Sequence, residues 1–354
     1  MVSARRVLAV CVIFLVLVPL GGVAADEARP SARELILNPG PQTLRLAWEE
    51  PLDFEVSLEG TLTVIAPQGL PTGVPPELAE GARVALSAVV TLKPKPCEEK
   101  DLACVSAILQ SVKLKARALG HELNVAGDTE HILATVDKKV LFDSKRGALA
   151  ALPIGKMFFG QEAVVLRISP RGRLANLAAA GILALLSGEG QDPFAGINKL
   201  LESLPELFPQ DPVKLFQGWR VSWPLEEPEL GLRASTDMIF RLQSFAIVDG
   251  RLCAKVTGRV QLCLNEFNLS QLVQQIPVVG TAKNDEQKPL PAVVFSGHLL
   301  VLGSVLLDVQ TKELVGAELK LELQAAQGPE EEGKAAGAAL RGDLRLSLVR
   351  KRAD

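Results

Sequence analysis

Polar and apolar residues alternate with a period of two along much of this chain, which limits its fold more than any other feature. Every second residue from Val84 to Leu92 is apolar, and Ser87 and Thr91 lie between them. The same alternation recurs in residues 108–118, 238–243, 319–324 and 344–348. Successive side chains of a strand point to opposite faces, so this pattern predicts antiparallel strands with one buried and one solvated face.

The period changes in the middle of the chain. Residues 174–187 read LANLAAAGILALLS, and Leu174, Leu177 and Leu185 recur at helical spacing. A second helix is predicted from Pro193 to Leu207. We expect both helices to lie on the buried face of the sheet, with Leu177 and Leu185 in the core. The alternative is a surface helix that docks on a membrane or a partner protein.

These patterns predict an α+β fold class that is rich in β structure. We expect one or two strongly curved antiparallel sheets, or a half-barrel, packed on two central helices. The corresponding division is a signal peptide at residues 1–25, a first β-rich half at 26–172, a helical segment at 173–207 and a second β-rich half at 208–354. The two halves and the helical segment would also fit one continuous domain.

The first 25 residues predict export. Arg5 and Arg6 precede an apolar run from Val7 to Leu20, and small residues then allow cleavage before Asp26. A secretory signal peptide has this organisation, so the mature chain is expected in the periplasm or the medium. No transmembrane segment is predicted after residue 25.

Charge and composition argue against some classes of partner. The chain has 38 Lys+Arg and 41 Asp+Glu, a formal net charge of −3. A mildly acidic chain is a poor candidate for binding nucleic acid or anionic lipid head groups. Aromatic residues make up only 4% of the chain and it has no Tyr, so any internal cavity is expected to be aliphatic.

Four cysteines remain after Cys11 leaves with the signal peptide. Cys97 and Cys104 are close in sequence, as are Cys253 and Cys263, so an exported chain is expected to form two local disulfides. The pairing of Cys253 with Cys263 requires the chain to turn near Gly258. If the strand runs straight through, these two cysteines are about 33 Å apart and cannot pair.

The sequence contains no recognisable catalytic or metal-binding motif. It has neither G-x-S-x-G nor H-E-x-x-H, and its three histidines, His121, His131 and His298, are isolated. The cysteine spacing is wrong for a typical zinc site. The sequence therefore predicts no enzyme, no catalytic residue, no metal and no cofactor.

A resemblance to known proteins lies around residues 130–260. Residues 208–213 read FPQDPV and are followed by Gly218 and Trp219, and residues 250–254 read GRLCA. This arrangement resembles exported bacterial β-rich proteins of unknown function with an FP-x-x-PV…G-x-W segment between two β-rich halves. The insertion of residues 214–217 departs from that pattern. The predicted plan is also similar, at the level of the fold, to the lipoprotein-carrier folds of the bacterial envelope.

These observations lead to a functional hypothesis. We expect a non-catalytic exported envelope protein that binds a lipid or another apolar ligand in an aliphatic concavity. The alternative is a structural or protein-interaction module with a fully packed core. A hydrolase whose site is not readable from the sequence is a third hypothesis.

Overall fold

The computed structural model of the protein describes residues 39–65, 81–118, 120–181, 184, 194, 198, 201–227, 232–268, 294–327 and 338–351. Strands account for 66% of these residues and helix for 6%. The predicted signal peptide, the predicted cleavage before Asp26, and Leu185 lie outside the described residues.

In the described part of the chain, fourteen strands form one antiparallel sheet. Their bounds are β1 Leu52–Ile65, β2 Ala82–Lys95, β3 Ala103–Ala118, β4 His121–Asp128, β5 Ile132–Val136, β6 Lys139–Asp143, β7 Glu162–Ile168, β8 Leu174–Ala179, β9 Gly218–Glu227, β10 Leu232–Val248, β11 Arg251–Asn268, β12 Val294–Asp308, β13 Leu314–Gln327 and β14 Ala339–Arg350. A 3₁₀ turn at Gly147–Ala151 and the short helix α1, Ile154–Phe158, follow β6.

Two meanders make up the main path of the sheet. Strands β1 to β6 lie side by side in chain order, and so do β9 to β14, with both meanders advancing in the same direction along the sheet. The meanders join where β1 pairs with β14, from Phe54 opposite Arg350 to Ile65 opposite Ala339. Both predicted β-rich halves therefore contribute strands to one sheet.

The sheet forks at β3. The second half of this long strand pairs with β4, from Ser111 to Ala118, whereas its first half pairs with β7, from Ala103 to Ile108. Strand β8 pairs with β7 and with no other strand of the described chain. The hairpin of β7 and β8 therefore leaves the main path, and its apolar residues join the hydrophobic core.

One face of the sheet is buried, as the alternation predicts. In β1 the even-numbered residues from Leu52 to Leu58 are buried and those between them are exposed. Val125 of β4 and Val221 of β9, near opposite ends of the path, pack against the same hydrophobic cluster. The sheet therefore curves around this cluster, and we call its buried face the concave face and the other the convex face.

The predicted α+β fold class, with a sheet packed on two central helices, is wrong. Residues Leu174–Ala179, expected to begin the first helix, form strand β8. A β-bulge at Ala175 explains the error, because Leu174 lies opposite Ile168 while Leu177 lies opposite Leu166. The bulge places two leucines three residues apart on one buried face, which imitates helical spacing.

Part of the second predicted helix is described. The N–H of Asn198 donates to the carbonyl of Phe194 over 2.7 Å, and Asn198, Leu201 and Glu202 have helical backbone. The Asn198 side chain both accepts from the N–H and donates to the carbonyl of Leu177, each over 2.9 Å. This amide therefore takes the place of a neighbouring strand at the edge of β8.

Two indoles fix residues 201–213 over the concave face. Trp219 Nε1 donates to the carbonyl of Leu207 over 2.8 Å, and Trp223 Nε1 donates to Ser203 Oγ over 3.1 Å. Leu201, Leu204, Leu207 and Phe208 are buried in the core. This mostly irregular segment, rather than a pair of helices, covers that part of the sheet.

Residues 42–48, which we call the strap, close one end of the core. Gln42 and Val213 exchange both backbone hydrogen bonds at 2.8 Å. The N–H of Ala47 donates to the carbonyl of Lys312 in the turn between β12 and β13, over 3.0 Å. The strap therefore joins the end of the segment that the indoles hold to the β12–β13 turn of the second meander.

The burial of Leu177 leads to a test of the core. Leu177 is 1% exposed, so Leu177→Asp would bury an unpaired carboxylate and should destabilise the protein by about 3–5 kcal/mol. The matched control is Val349→Asp on the convex face, where the side chain is 55% exposed. Chemical denaturation of both variants measures the difference. Equal stability of the two variants would contradict this description of the core.

Candidate functional site

The strand register aligns apolar residues of the concave face into rows that cross the sheet. Counted from β4 to β12, one row consists of Leu123, Ala116, Val84, Gly60, Leu344, Leu321 and Val301. The adjacent row consists, from β1 to β12, of Leu62, Gly342, Leu323 and Leu299. We call these two rows together the apolar band.

The apolar band lies between two more deeply buried zones of the same face. On β1, Leu58 and Val64 are 2% and 4% exposed, whereas Leu62 between them is only half-buried. Strands β13 and β14 show the same order of buried, half-buried and buried residues. The side chains of the band therefore keep accessible surface inside the curve of the sheet.

Two glycines allow leucines to lie across the band. A Cβ atom at Gly60 would come within 3.0 Å of Leu344 Cδ1, and one at Gly342 would come within 3.0 Å of Leu62 Cδ1. These approaches are closer than ordinary van der Waals contact, so the leucine methyl groups already occupy the space above the glycines. The surface of the band is consequently formed by leucine and valine methyl groups.

The chemistry of this surface is limited to hydrophobic contact. None of the residues that define the band carries a charge or a side-chain hydrogen-bonding group. An apolar chain laid along it gains about 25 cal/mol for each Å² of apolar surface removed from water. The band has no group that could activate a nucleophile or transfer a proton.

The opposite end of the core contains buried charges that sequence reasoning missed. Glu313 is 6% exposed and pairs with Arg251 at 3.1 Å and with Arg350 at 2.7 Å. Asp308, 4% exposed, lies 3.7 Å from the same Arg251. The pairs join β11, β14 and the turn after β12, so their role is to tie strands together. Only the Asp308 turn carried a sequence signal, an Asp at the end of an apolar strand.

A cleft beside the strap is too small for a lipid. It has room for little more than one water molecule, about 10 Å³, and its lining includes Thr43, Arg45 and Leu307. Pockets for small molecules commonly measure about 300–1,000 Å³. The apolar band is therefore the better candidate site among the described residues.

The structure forms one of the two predicted disulfides. Cys97 and Cys104 are bonded, with their Cα atoms 5.2 Å apart. Cys253 and Cys263 are free, so their predicted pairing is wrong. Strand β11 runs straight from Arg251 to Asn268 without the turn near Gly258 that the pairing required.

The two free cysteines differ in environment. Cys253 is fully buried, and burial raises the pKa of its thiol to about 11, with a smaller contribution from Asp308. Cys263 is exposed on the convex face, opposite His298 of β12. Cys253 is therefore chemically inert, whereas Cys263 is accessible to reagents.

The other two histidines each pair with an aspartate in the region of β4, β5 and β6. His121 Nδ1 lies 2.8 Å from Asp137 Oδ2, and His131 Nε2 lies 2.9 Å from Asp143 Oδ1. Hydrogen bonds lower the pKa of both carboxyls: chiefly the Glu122 N–H at Asp137, and chiefly His131 at Asp143. No group of three His, Cys, Asp or Glu side chains suited to a metal ion occurs among the described residues.

Comparisons with known proteins give distant structural matches. No protein-family model and no curated protein sequence matches the chain. A solved structure titled "Lipid-protein interactions in lipovitellin" is 11% identical, with a TM-score of 0.35. The match covers 86% of this chain and 26% of the lipovitellin chain. This chain therefore spans about a quarter of that protein's length. DynF from the dynemicin biosynthesis pathway of Micromonospora chersina is 9% identical, with a TM-score of 0.18, over 93% of this chain and 94% of DynF.

No helix among the described residues is both long enough and apolar enough to span a membrane.

The cysteine assignments predict a stepwise thiol titration. In protein that begins at Asp26, and so lacks Cys11, Ellman's reagent should detect one thiol in the native state and two after unfolding. Cys263 accounts for the first, and buried Cys253 for the second. Non-reducing peptide mapping should show Cys97 linked to Cys104. The absence of any free thiol in denaturant would contradict these assignments.

The two histidine–aspartate pairs predict a loss of stability in acid. Because the folded pKa of Asp143 lies below its ordinary value of 3.8, this carboxylate stabilises the fold above that pH. The contribution is lost as the pH falls through the folded pKa. The melting temperature of Asp143→Asn should therefore fall less than that of the wild type between about pH 5 and pH 3. Identical pH profiles for the two proteins would refute this role for Asp143.

Proposed function

We propose that this protein binds an apolar ligand, such as the acyl chain of a lipid, along the apolar band, and that it catalyses no reaction. The observation that supports the proposal is the half-buried, entirely aliphatic character of the band, set between two buried zones of the concave face. Sites for small molecules are commonly concave and mostly apolar.

We also propose that the protein works outside the cytoplasm, in the periplasm or the medium, as its amino-terminal sequence indicates. The disulfide between Cys97 and Cys104 supports this location, because such bonds persist in oxidising compartments. The resemblance to exported bacterial β-rich proteins agrees with the same location. An exported carrier for an apolar molecule needs the aliphatic surface and no catalytic group.

A matched pair of variants tests the site. Val301 belongs to the band, and its neighbour Leu302 lies on the convex face of the same strand, opposite Arg259 and Lys320. Val301→Phe fills the band without adding a polar group and should weaken binding of cis-parinaric acid, a fluorescent 18-carbon fatty acid, at least tenfold. Leu302→Phe should leave its affinity unchanged. Melting temperatures of both variants establish that they fold.

The same measurements can reject the proposal. Native mass spectrometry and solvent extraction of the purified protein should reveal a co-purified lipid or uptake of an added one. A wild-type protein that carries no lipid and does not bind the fluorescent fatty acid would instead be a structural or interaction module with a packed core. If Val301→Phe and Leu302→Phe weakened binding of the fatty acid equally, the apolar band would not be the binding site.

A further inference from the structure

We infer that the β6 edge of the sheet docks on an anionic lipid bilayer through residues 138–157, which we call the docking edge. The inference goes beyond the proposed function, because a protein can adhere to a bilayer whether or not it binds a lipid in the apolar band. Two properties of these residues identify the partner: exposed apolar side chains and positive charge.

Exposed apolar side chains are concentrated in the docking edge. Nine large apolar side chains of the described residues are exposed, and four of them lie in this stretch: Val140, Leu141, Leu152 and Met157. The other five are distributed over β1, β10, β14 and the loop before β9. Apolar side chains on a protein surface bind a bilayer by entering the boundary between its head groups and its acyl chains.

The fold holds these side chains on the outside of the molecule. Strand β6 ends the main path and pairs only with β5 in the described chain. Next to it, Gly155 and Phe159 are buried, whereas Lys156 and Met157 between them are exposed. Gly155 packs against the turn after β4, because a Cβ atom there would lie 2.5 Å from the carbonyl oxygen of Thr129. The outer side of α1 therefore faces solvent on a fixed support.

The docking edge is also positively charged. It contains one carboxylate, Asp143, and five exposed cations: Lys138, Lys139, Lys145, Arg146 and Lys156. Cations around an apolar patch add electrostatic attraction to an anionic bilayer. The net charge of −3, which argued against anionic head groups, conceals this local excess.

Most carboxylates near these cations already have partners. Asp143 lies 2.9 Å from His131 Nε2 and 3.0 Å from Arg146 Nε. Asp137, immediately before the docking edge, lies 2.8 Å from His121 Nδ1. Exposed Glu130, in the turn after β4, offsets one more positive charge. A positive excess remains for an anionic surface to neutralise.

The docking edge lies at one end of the apolar band. Leu123 of the band lies opposite Val136 of β5, and Val136 lies opposite Lys139 of β6. Because directly opposite residues share a face of the sheet, the first row of the band continues through Val136 to the docking edge. A bilayer bound here would adjoin the band, so a lipid would enter the band at this end.

A matched pair of apolar variants tests the docking edge. Protein that begins at Asp26 is sedimented with vesicles of phosphatidylcholine and phosphatidylglycerol in equal amounts, or of phosphatidylcholine alone. Leu141→Gln changes the docking edge, and Ile239→Gln on β10 is its control. The two side chains are 54% and 52% exposed, so the variants remove similar apolar surface.

A second pair tests the charge. Lys139→Gln combined with Lys156→Gln removes two cations from the docking edge. Lys113→Gln combined with Lys115→Gln removes two exposed cations from the convex face of β3, and so changes the net charge equally.

We expect the wild type to bind the anionic vesicles at least tenfold more tightly than phosphatidylcholine, and about 0.5 M salt to abolish most of this difference. Leu141→Gln should weaken binding about fivefold, the effect of burying about half a leucine side chain. The double lysine variant of the docking edge should weaken it about 25-fold, or fivefold for each cation. Both controls should bind like the wild type. Melting temperatures should stay close to that of the wild type, because these side chains are exposed.

Several results would overturn the inference. These are no binding of the wild type to anionic vesicles, equal binding to both kinds of vesicle, and equal losses in the docking-edge and control variants. A dimer that Leu141→Gln dissociates, measured by light scattering, would assign the docking edge to a second copy of the chain instead.

The proposed function is tested separately by cis-parinaric acid. Leu141→Gln should keep the wild-type affinity for this fatty acid while it loses vesicle binding. A wild type that binds anionic vesicles but not cis-parinaric acid would reject the proposed function and support the inference. The reverse result would reject the inference alone.

Discussion

The pairing of β1 with β14 is the constraint on which the rest of the structure depends. Each meander alone has one buried face and one unpaired inner edge. The twelve residue pairs between these two strands remove both edges and make the concave face continuous. The apolar band crosses this junction, from Val84 on β2 through Gly60 to Leu344 on β14. Without the junction neither the core nor the candidate site would be complete.

Much of the core is covered by connecting chain rather than by a second sheet or a helical layer. The strap, the hairpin of β7 and β8, and residues 201–213 all place apolar side chains in the same hydrophobic cluster. Such segments need partners for their backbone groups, and the structure supplies them. The side-chain amide of Asn198, the indole of Trp219 and the carbonyl of Lys312 are examples. The band keeps some accessible surface at the other end of the face.

The sequence predicted the strands well, because burial of one face imposes a period of two on the residues. It failed at Leu174–Ala179, where a β-bulge gave two buried leucines the spacing of a helix and the Ala-rich composition reinforced that reading. It also failed at Cys253 and Cys263, because alternation alone does not distinguish one long strand from a hairpin with a turn at Gly258. The pairing of Cys97 with Cys104 was confirmed, since a short polar loop between them can close in only a few ways.

The candidate site was predictable only in its chemistry. An aliphatic cavity follows from the scarcity of aromatic residues, but the position of the band depends on the register between strands that are far apart in the chain. Pairing across β1 and β14 is a tertiary property, and local patterns contain no information about it.

The same junction has a consequence for how the chain acquires its structure. Ser57 and Ser347, whose hydroxyl oxygens lie 2.8 Å apart across it, are separated by 290 residues. A ribosome that adds about 5–20 residues each second needs tens of seconds to make the second of these strands after the first. During that time the sheet cannot close, and contacts over such separations form slowly. A chain with this topology therefore cannot close its sheet before β14 has been synthesised.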